Sequence, residues 1–214
     1  MSSHHNTYFF LFYLLLLVVG FFITAKIPKG DEVLWINQHH NTILDIFFYY
    51  ATSIGNGLFY VGLILYFFWR KVGYGILGTL SFAITGLVVQ FSKRYLFSDM
   101  VRPKLYLQDF NLNFVDGVEV LSHHSFPSGH SATAFSMMFL LALYTKQQFL
   151  GILFCFIAAI AAFSRVYLVQ HFLFDVIVGS IIGVAVTFVV NNIWLKSGLY
   201  QKPLMQQPIR NLMK

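Results

Sequence analysis

Three short stretches of this chain hold residue types that could together transfer a phosphoryl group. They are Lys93 to Pro103, then Ser125 through His130, then Ser164-Arg165 followed by His171 and Asp175. Each sets cations or histidines beside strongly apolar sequence, where an unneeded ionisable group is costly. His171 and Asp175 are spaced i, i+4, so on a helical segment they share one face. A carboxylate there can fix the imidazole tautomer and stabilise its cation, leaving the other ring nitrogen free to attack. The plainer reading of that pair is a helix cap, with Asp175 favoured in a first turn by the dipole.

The second stretch reads Pro127-Ser128-Gly129-His130 and opens an apolar run. Proline suits a first helical turn, Gly129 lets backbone approach a ligand, and the exposed amides make an anion seat. His130 stands where it can exchange protons with whatever is held there. Ser128 alone could be an ordinary cap, but a cap does not account for a histidine at the lip of an apolar span. Arg165 offers a planar fork for two phosphate oxygens, and Lys93 and Arg102 add two further cations. Phosphoryl transfer is catalysed mainly by positioning and by neutralising the equatorial oxygens, which three cations suit. Lys93 and Arg94 could instead be cations snorkelling from a helix end.

The elements that must position these residues are membrane helices. Hydrophobic residues make up 57% of the chain and charged residues 10%, against about 25% charged in a soluble domain. The expectation is one all-α polytopic membrane domain over residues 1–214, with six spans near 8–25, 52–69, 72–91, 129–145, 148–164 and 176–195. The residues before the first run lack Lys and Arg and no small-residue cleavage site follows it, so an uncleaved span is expected rather than a signal peptide. Residues 35–50 mix apolar and polar side chains and read as one interfacial helix. Gly55-Asn56-Gly57 punctuates the entry to span two.

Some features point nowhere chemical. Adjacent His39 and His40 face different sides of a helix with no ligand cluster nearby, so no metal site is expected. Cys155 sits between Phe154 and Phe156 as a packing residue. The net charge of +6 is scattered and forms no basic stripe, which argues against nucleic acid.

Topology adds a constraint. With six spans, the connections 92–130 and 164–175 lie on one side, so the three stretches must converge there. Lys and Arg tie at seven on each side, which by itself does not set orientation. If Lys93, Arg102 and Arg165 are held in a site, the bias puts both termini in the cytoplasm and the site outside. The localisation expected is a bacterial inner (plasma) membrane.

Ser164-Arg165-x5-His171-x3-Asp175 and Pro127-Ser128-Gly129-His130 resemble the second and third signatures of the type 2 phosphatidic acid phosphatase (PAP2) family, which shares its site with vanadium haloperoxidases. The family's first motif is Lys-x6-Arg-Pro. Arg102-Pro103 fits, but the cations upstream are Lys93 and Arg94, two and one residues out of register. A bulge in 97–100 would restore the geometry, with Lys93 chosen and Arg94 its rival.

The resemblance implies two-step hydrolysis without a metal or other cofactor. His171 would attack phosphorus with Asp175 orienting it. His130 would protonate the leaving oxygen and then activate water. Lys93, Arg102, Arg165 and the Ser128-Gly129 amides would hold the phosphate. The partner implied is a membrane lipid phosphate: phosphatidate or phosphatidylglycerophosphate, with undecaprenyl diphosphate and the phosphates of lipid A as alternatives. A lipid phosphotransferase, or a non-catalytic lipid-binding protein, are the other classes. Residues 110–120 alternate around Asp116-Gly117 and read as a small hairpin where the head group would be selected. Asp109, Asp116 and Glu119 are expected to be solvated, and His123 and His124 to be polar loop residues.

Overall fold

The computed structural model describes residues 6–212; Lys214, counted above among the cations, lies outside them. Ten α-helices follow in chain order: α1 Thr7–Lys26, α2 Asp31–Gln38, α3 Thr42–Ala51, α4 Gly57–Arg70, α5 Val72–Phe91, α6 Pro103–Tyr106, α7 Gly129–Tyr144, α8 Leu150–Tyr167, α9 Leu173–Lys196 and α10 Pro203–Gln206. No strand occurs among the described residues, as expected of an all-α chain.

Among the described residues, four helices are long and apolar enough to cross a membrane: α1, α5 with the turn that extends it to Leu96, α8 and α9. A fifth crossing results if 42–55 and α4, bent by 52° to one another, count as one. The remaining expected span, 129–145, corresponds to α7, which at 16 residues falls short on length. The reason is its place. Ala132, Met137, Phe139 and Leu140 are all fully buried, so α7 is sheathed by other helices rather than by lipid. By contrast α1 turns Leu11, Leu14, Leu15 and Phe22 outward, each more than half exposed.

The tightest helix contact is between α7 and α9, and glycine makes it possible. A Cβ at Gly179 would overlap the Ser128 carbonyl, and one at Gly183 the Ala132 carbonyl. This small-x3-small spacing lets two backbones touch. It also brings the start of α7 against the start of α9.

Two expectations are corrected. The single interfacial helix over 35–50 is two helices, broken at His39-His40-Asn41. Asn41 takes the Leu44 amide at 3.0 Å and so starts a new helix instead of continuing the old one. His39 bonds the Trp35 carbonyl at 2.7 Å, and His40 faces Asp45 at 3.5 Å. The expected hairpin at Asp116-Gly117 is only a turn, with Gly117 at φ +78 and the Val118 amide on the Val115 carbonyl at 3.2 Å. Flanking segments form no ladder because side chains elsewhere take up their backbone. Asn37, for example, bonds both the amide and the carbonyl of Asn113, at 2.9 and 2.8 Å.

Candidate active site

The site is assembled at one end of the bundle from the close of α5 and of α8 and the opening of α7 and α9. Asp175 stands in the first turn of α9, and its Oδ2 gathers three donors. The Ser125 hydroxyl donates at 2.5 Å, the Phe172 amide at 3.2 Å, and His171 Nδ1 lies at 3.4 Å. The helix cap and the histidine partner, alternatives in the sequence, are thus one carboxylate oxygen acting as both. With Nδ1 turned to the carboxylate, Nε2 is the nitrogen left for chemistry.

His171 is 2% exposed. Burial, and after it the charges of Lys93, Arg102, Arg165 and His130, hold its imidazole well below the usual pKa, so it is neutral near pH 7. The turn that delivers it is unusual. The Gln170 and His171 amides both donate to the Arg165 carbonyl, at 2.9 and 3.1 Å, closing the end of α8. Val169 within that turn has φ 59, a left-handed conformation costly for a β-branched residue, by about 1–3 kcal/mol.

Arg165 is buried at the end of α8. Its Nη1 donates to the Thr52 hydroxyl at 2.7 Å, while its buried Nε has no partner among the described residues. An anion oxygen would satisfy that N–H. Arg102 donates through Nε to the His123 carbonyl at 2.9 Å and through Nη1 to the Gln170 carbonyl and side chain, each at 3.0 Å. Its Nη2 has no protein partner among the described residues. Gln170 in turn donates to the Glu119 carbonyl at 2.7 Å, tying the long loop to the site.

The register problem of the first stretch is resolved by geometry. Residues Ser92–Leu96 form a π-helical turn, closed by the Phe97 amide on the Ser92 carbonyl at 2.9 Å. A wider turn accommodates extra chain within a helix and re-aims its side chains. Lys93 is 8% exposed and donates to the His124 carbonyl at 2.8 Å, whereas Arg94 is exposed. The bulge expected at 97–100 therefore lies earlier, in the helix itself.

Ser128 caps α7, accepting from Ser131, and its own amide donates to the Asp175 carbonyl at 3.0 Å. This locks the Ser128-Gly129 turn to the base of α9. His130, one residue further, lies within electrostatic range of His171. All eight residues singled out for the site are thus brought to one end: Lys93, Arg102, Ser128, Gly129, His130, Arg165, His171 and Asp175.

Three contributors were not assigned a role from sequence. Ser125 opens the second stretch, and its position five residues before His130 was the available signal. Gln170 precedes the nucleophile candidate directly. Thr52 carried no signal, since only the bend between α3 and α4 brings it to Arg165.

Beside Asp175 opens a cavity of about 840 Å³ with an aromatic and aliphatic wall that includes Phe21, Phe97, Phe126 and Phe174. The Phe126 and Phe174 rings stack at 5.7 Å. The cavity lies between the end of α1, the loop after α5 and the start of α9.

Comparison with known proteins gives relatives in sequence and in fold. A putative phosphatidate phosphatase of Drosophila melanogaster is 35% identical over 119 residues, which are 49% of this chain and 31% of that protein. The chain thus spans about a third of the length of that curated relative. The crystal structure of Aquifex aeolicus LpxE matches with a TM-score of 0.68 at 23% identity, covering 78% of this chain and 97% of that one, a likeness of fold. The crystal structure of a transmembrane PAP2 type phosphatidylglycerolphosphate phosphatase from Bacillus subtilis matches with a TM-score of 0.64 at 25% identity, covering 92% and 98%. The model of the PAP2 superfamily matches residues 74–198, a stretch that includes every one of the eight site residues, and the chain belongs to that superfamily.

Proposed function

We propose that this chain is a lipid phosphate phosphatase that works through a phosphohistidine on His171. The observation that carries the reading is a neutral, buried His171, oriented by Asp175 and surrounded by Lys93, Arg102 and Arg165, at the end of an apolar bundle. His171 Nε2 attacks phosphorus, and the bond to the leaving lipid oxygen breaks as His130 gives that oxygen a proton. Water then attacks phosphorus as His130 takes its proton, and the bond from His171 Nε2 to phosphorus breaks, which frees phosphate and restores His171. Arg165 Nε, Arg102 Nη2 and the Lys93 ammonium neutralise the phosphate oxygens, with the Ser128-Gly129 turn closing the seat. Metal plays no part in this scheme.

The substrate proposed is a phosphate ester of a membrane lipid of the phosphatidate type. Its support is the apolar cavity against Asp175, which would seat the acyl chains while the phosphate enters the cation cluster. The relatives named as phosphatidate and phosphatidylglycerolphosphate phosphatases point the same way. We further propose that residues 1–214 form one domain with six crossings, the short α7 spanning inside a sheath of the others. Both termini are then cytoplasmic and the site faces outward from a bacterial inner membrane.

The test is phosphate release by the purified chain from phosphatidate, phosphatidylglycerophosphate and a polyprenyl diphosphate, with EDTA present. Acid-labile label on the protein after brief mixing with phosphorus-labelled lipid would report the phosphohistidine. Activity that requires added metal, or that persists in His171→Ala, contradicts the mechanism. Transfer of label to a second lipid rather than to water would make the chain a phosphotransferase.

A further inference from the structure

We propose that, among the lipid phosphates the site takes, Lys29 favours those that carry a second phosphate group between the transferred phosphate and the tail over single phosphates. The inference rests on the lipid phosphatase reading and concerns the same site. Lys93, Arg102 and Arg165, the cations assigned to the transferred phosphate, do not line the large cavity beside Asp175. Among the described residues Lys29 is the cation that does. A lipid whose terminal phosphate sits in the cluster and whose tail lies in the cavity therefore meets Lys29 as the next positive charge.

Lys29 is held for that task by its surroundings. Its Nζ stands 4.4 Å from the centre of the Phe172 ring and 5.0 Å from that of Tyr106. These two rings meet edge to face at 5.4 Å, so the ammonium rests on an aromatic platform, one ring of which, Phe172, directly follows His171 in sequence. It lies within electrostatic range of Asp175. No carboxylate of the described residues comes within ion-pair distance of it, and its donors remain available to an anion.

The cavity's other carboxylate, Glu32, is already engaged. Its two oxygens accept from the Gly30 amide at 2.8 Å and the Leu173 amide at 3.3 Å. Glu32 thus straps the segment that bears Lys29 to the first residue of α9. The cation is fixed relative to the helix that carries Asp175, as a selecting residue must be.

The experiment compares farnesyl diphosphate with farnesyl monophosphate, which share a tail and differ by the second phosphate. A charge-assisted contact to phosphate lost from an exposed site corresponds to about tenfold at most. Lys29→Ala is expected to lower the ratio of kcat/KM for diphosphate over monophosphate by about that factor, with Lys29→Arg restoring most of it. Equal loss on both lipids would mean that Lys29 only anchors the α1–α2 segment, and would overturn the proposal, as would an unchanged ratio. Binding of the same two lipids to His171→Ala protein, with and without Lys29→Ala, reads the ratio without turnover. A shifted binding ratio, together with a wild-type chain that releases no phosphate from either lipid, upholds Lys29 and overturns the phosphatase reading instead.

Discussion

The site has two halves that are built differently. The half on α7 and α9 is held by local helix geometry: Asp175 caps its own helix, Ser128 caps the other, and Gly179 and Gly183 let the two touch. The half that supplies Lys93 and Arg102 hangs on side chains reaching carbonyls far away in sequence, at His124, His123 and Gln170. In the first half the groups proposed to act in catalysis are also structural groups. In the second, the cations spend part of their hydrogen-bonding capacity on folding the loop whose fold then positions them. Errors in the first half should therefore remove chemistry, and errors in the second should loosen binding and the loop together.

The largest effect expected is from His171→Ala: if His171 is the nucleophile proposed, kcat falls by about 10⁴ or more with the protein still inserted. Asp175→Asn keeps the shape and the cap but removes the charge that orients His171, and kcat should fall by about 10² to 10⁴. An effect of less than tenfold would break the assignment of this pair. Arg102→Lys keeps a charge but loses the fork that grips both Gln170 and the His123 carbonyl. It should raise KM by about ten- to a hundredfold, and limited proteolysis should cut residues 107–124 faster. An Arg102→Lys chain with an unaltered proteolysis pattern would contradict the view that this half folds through its own cations.

Ser125→Ala removes one of three donors on Asp175 and should lower kcat by about tenfold, since the Phe172 amide and His171 still hold the carboxylate. The smallest effect sought is in the pH profile. Because the His171 pKa is lowered, its ring stays neutral as pH falls through the ordinary imidazole value. The acid limb of kcat/KM, which reports the free enzyme, should consequently lie below about pH 6.5. A limb above that value would place the titrating group elsewhere or show the ring to be stabilised as its cation.

Much of the helix-borne half was legible because helices repeat every 3.6 residues. The i, i+4 spacing signals the His171–Asp175 pair, but His171 lies in the turn before α9, so a cap rather than a shared helix face joins them. The Pro-Ser-Gly opening of α7 fixes its own relations over one turn. The interfacial segment and the hairpin were misread for the same reason: the pattern is local and its override was not. The Asn41 cap ended one helix where apolar content alone suggested continuity. Long-range bonds from Asn37 took up the backbone that a hairpin would have paired.

The sequence by itself determined that this chain is helical and membrane-like, that three polar stretches share one end, and which histidine pairs with which carboxylate. Those follow from composition and from periodicity, which act over a few residues. Only the tertiary structure shows which of Lys93 and Arg94 is buried, since a π-helical turn brings one inward and leaves the other exposed. It alone brought Thr52, Ser125 and Gln170 to the cations and carboxylate they serve. It also put Lys29 on the wall of the cavity that opens against Asp175. Each of these depends on contacts between residues distant in sequence, and no local spacing rule specifies such contacts.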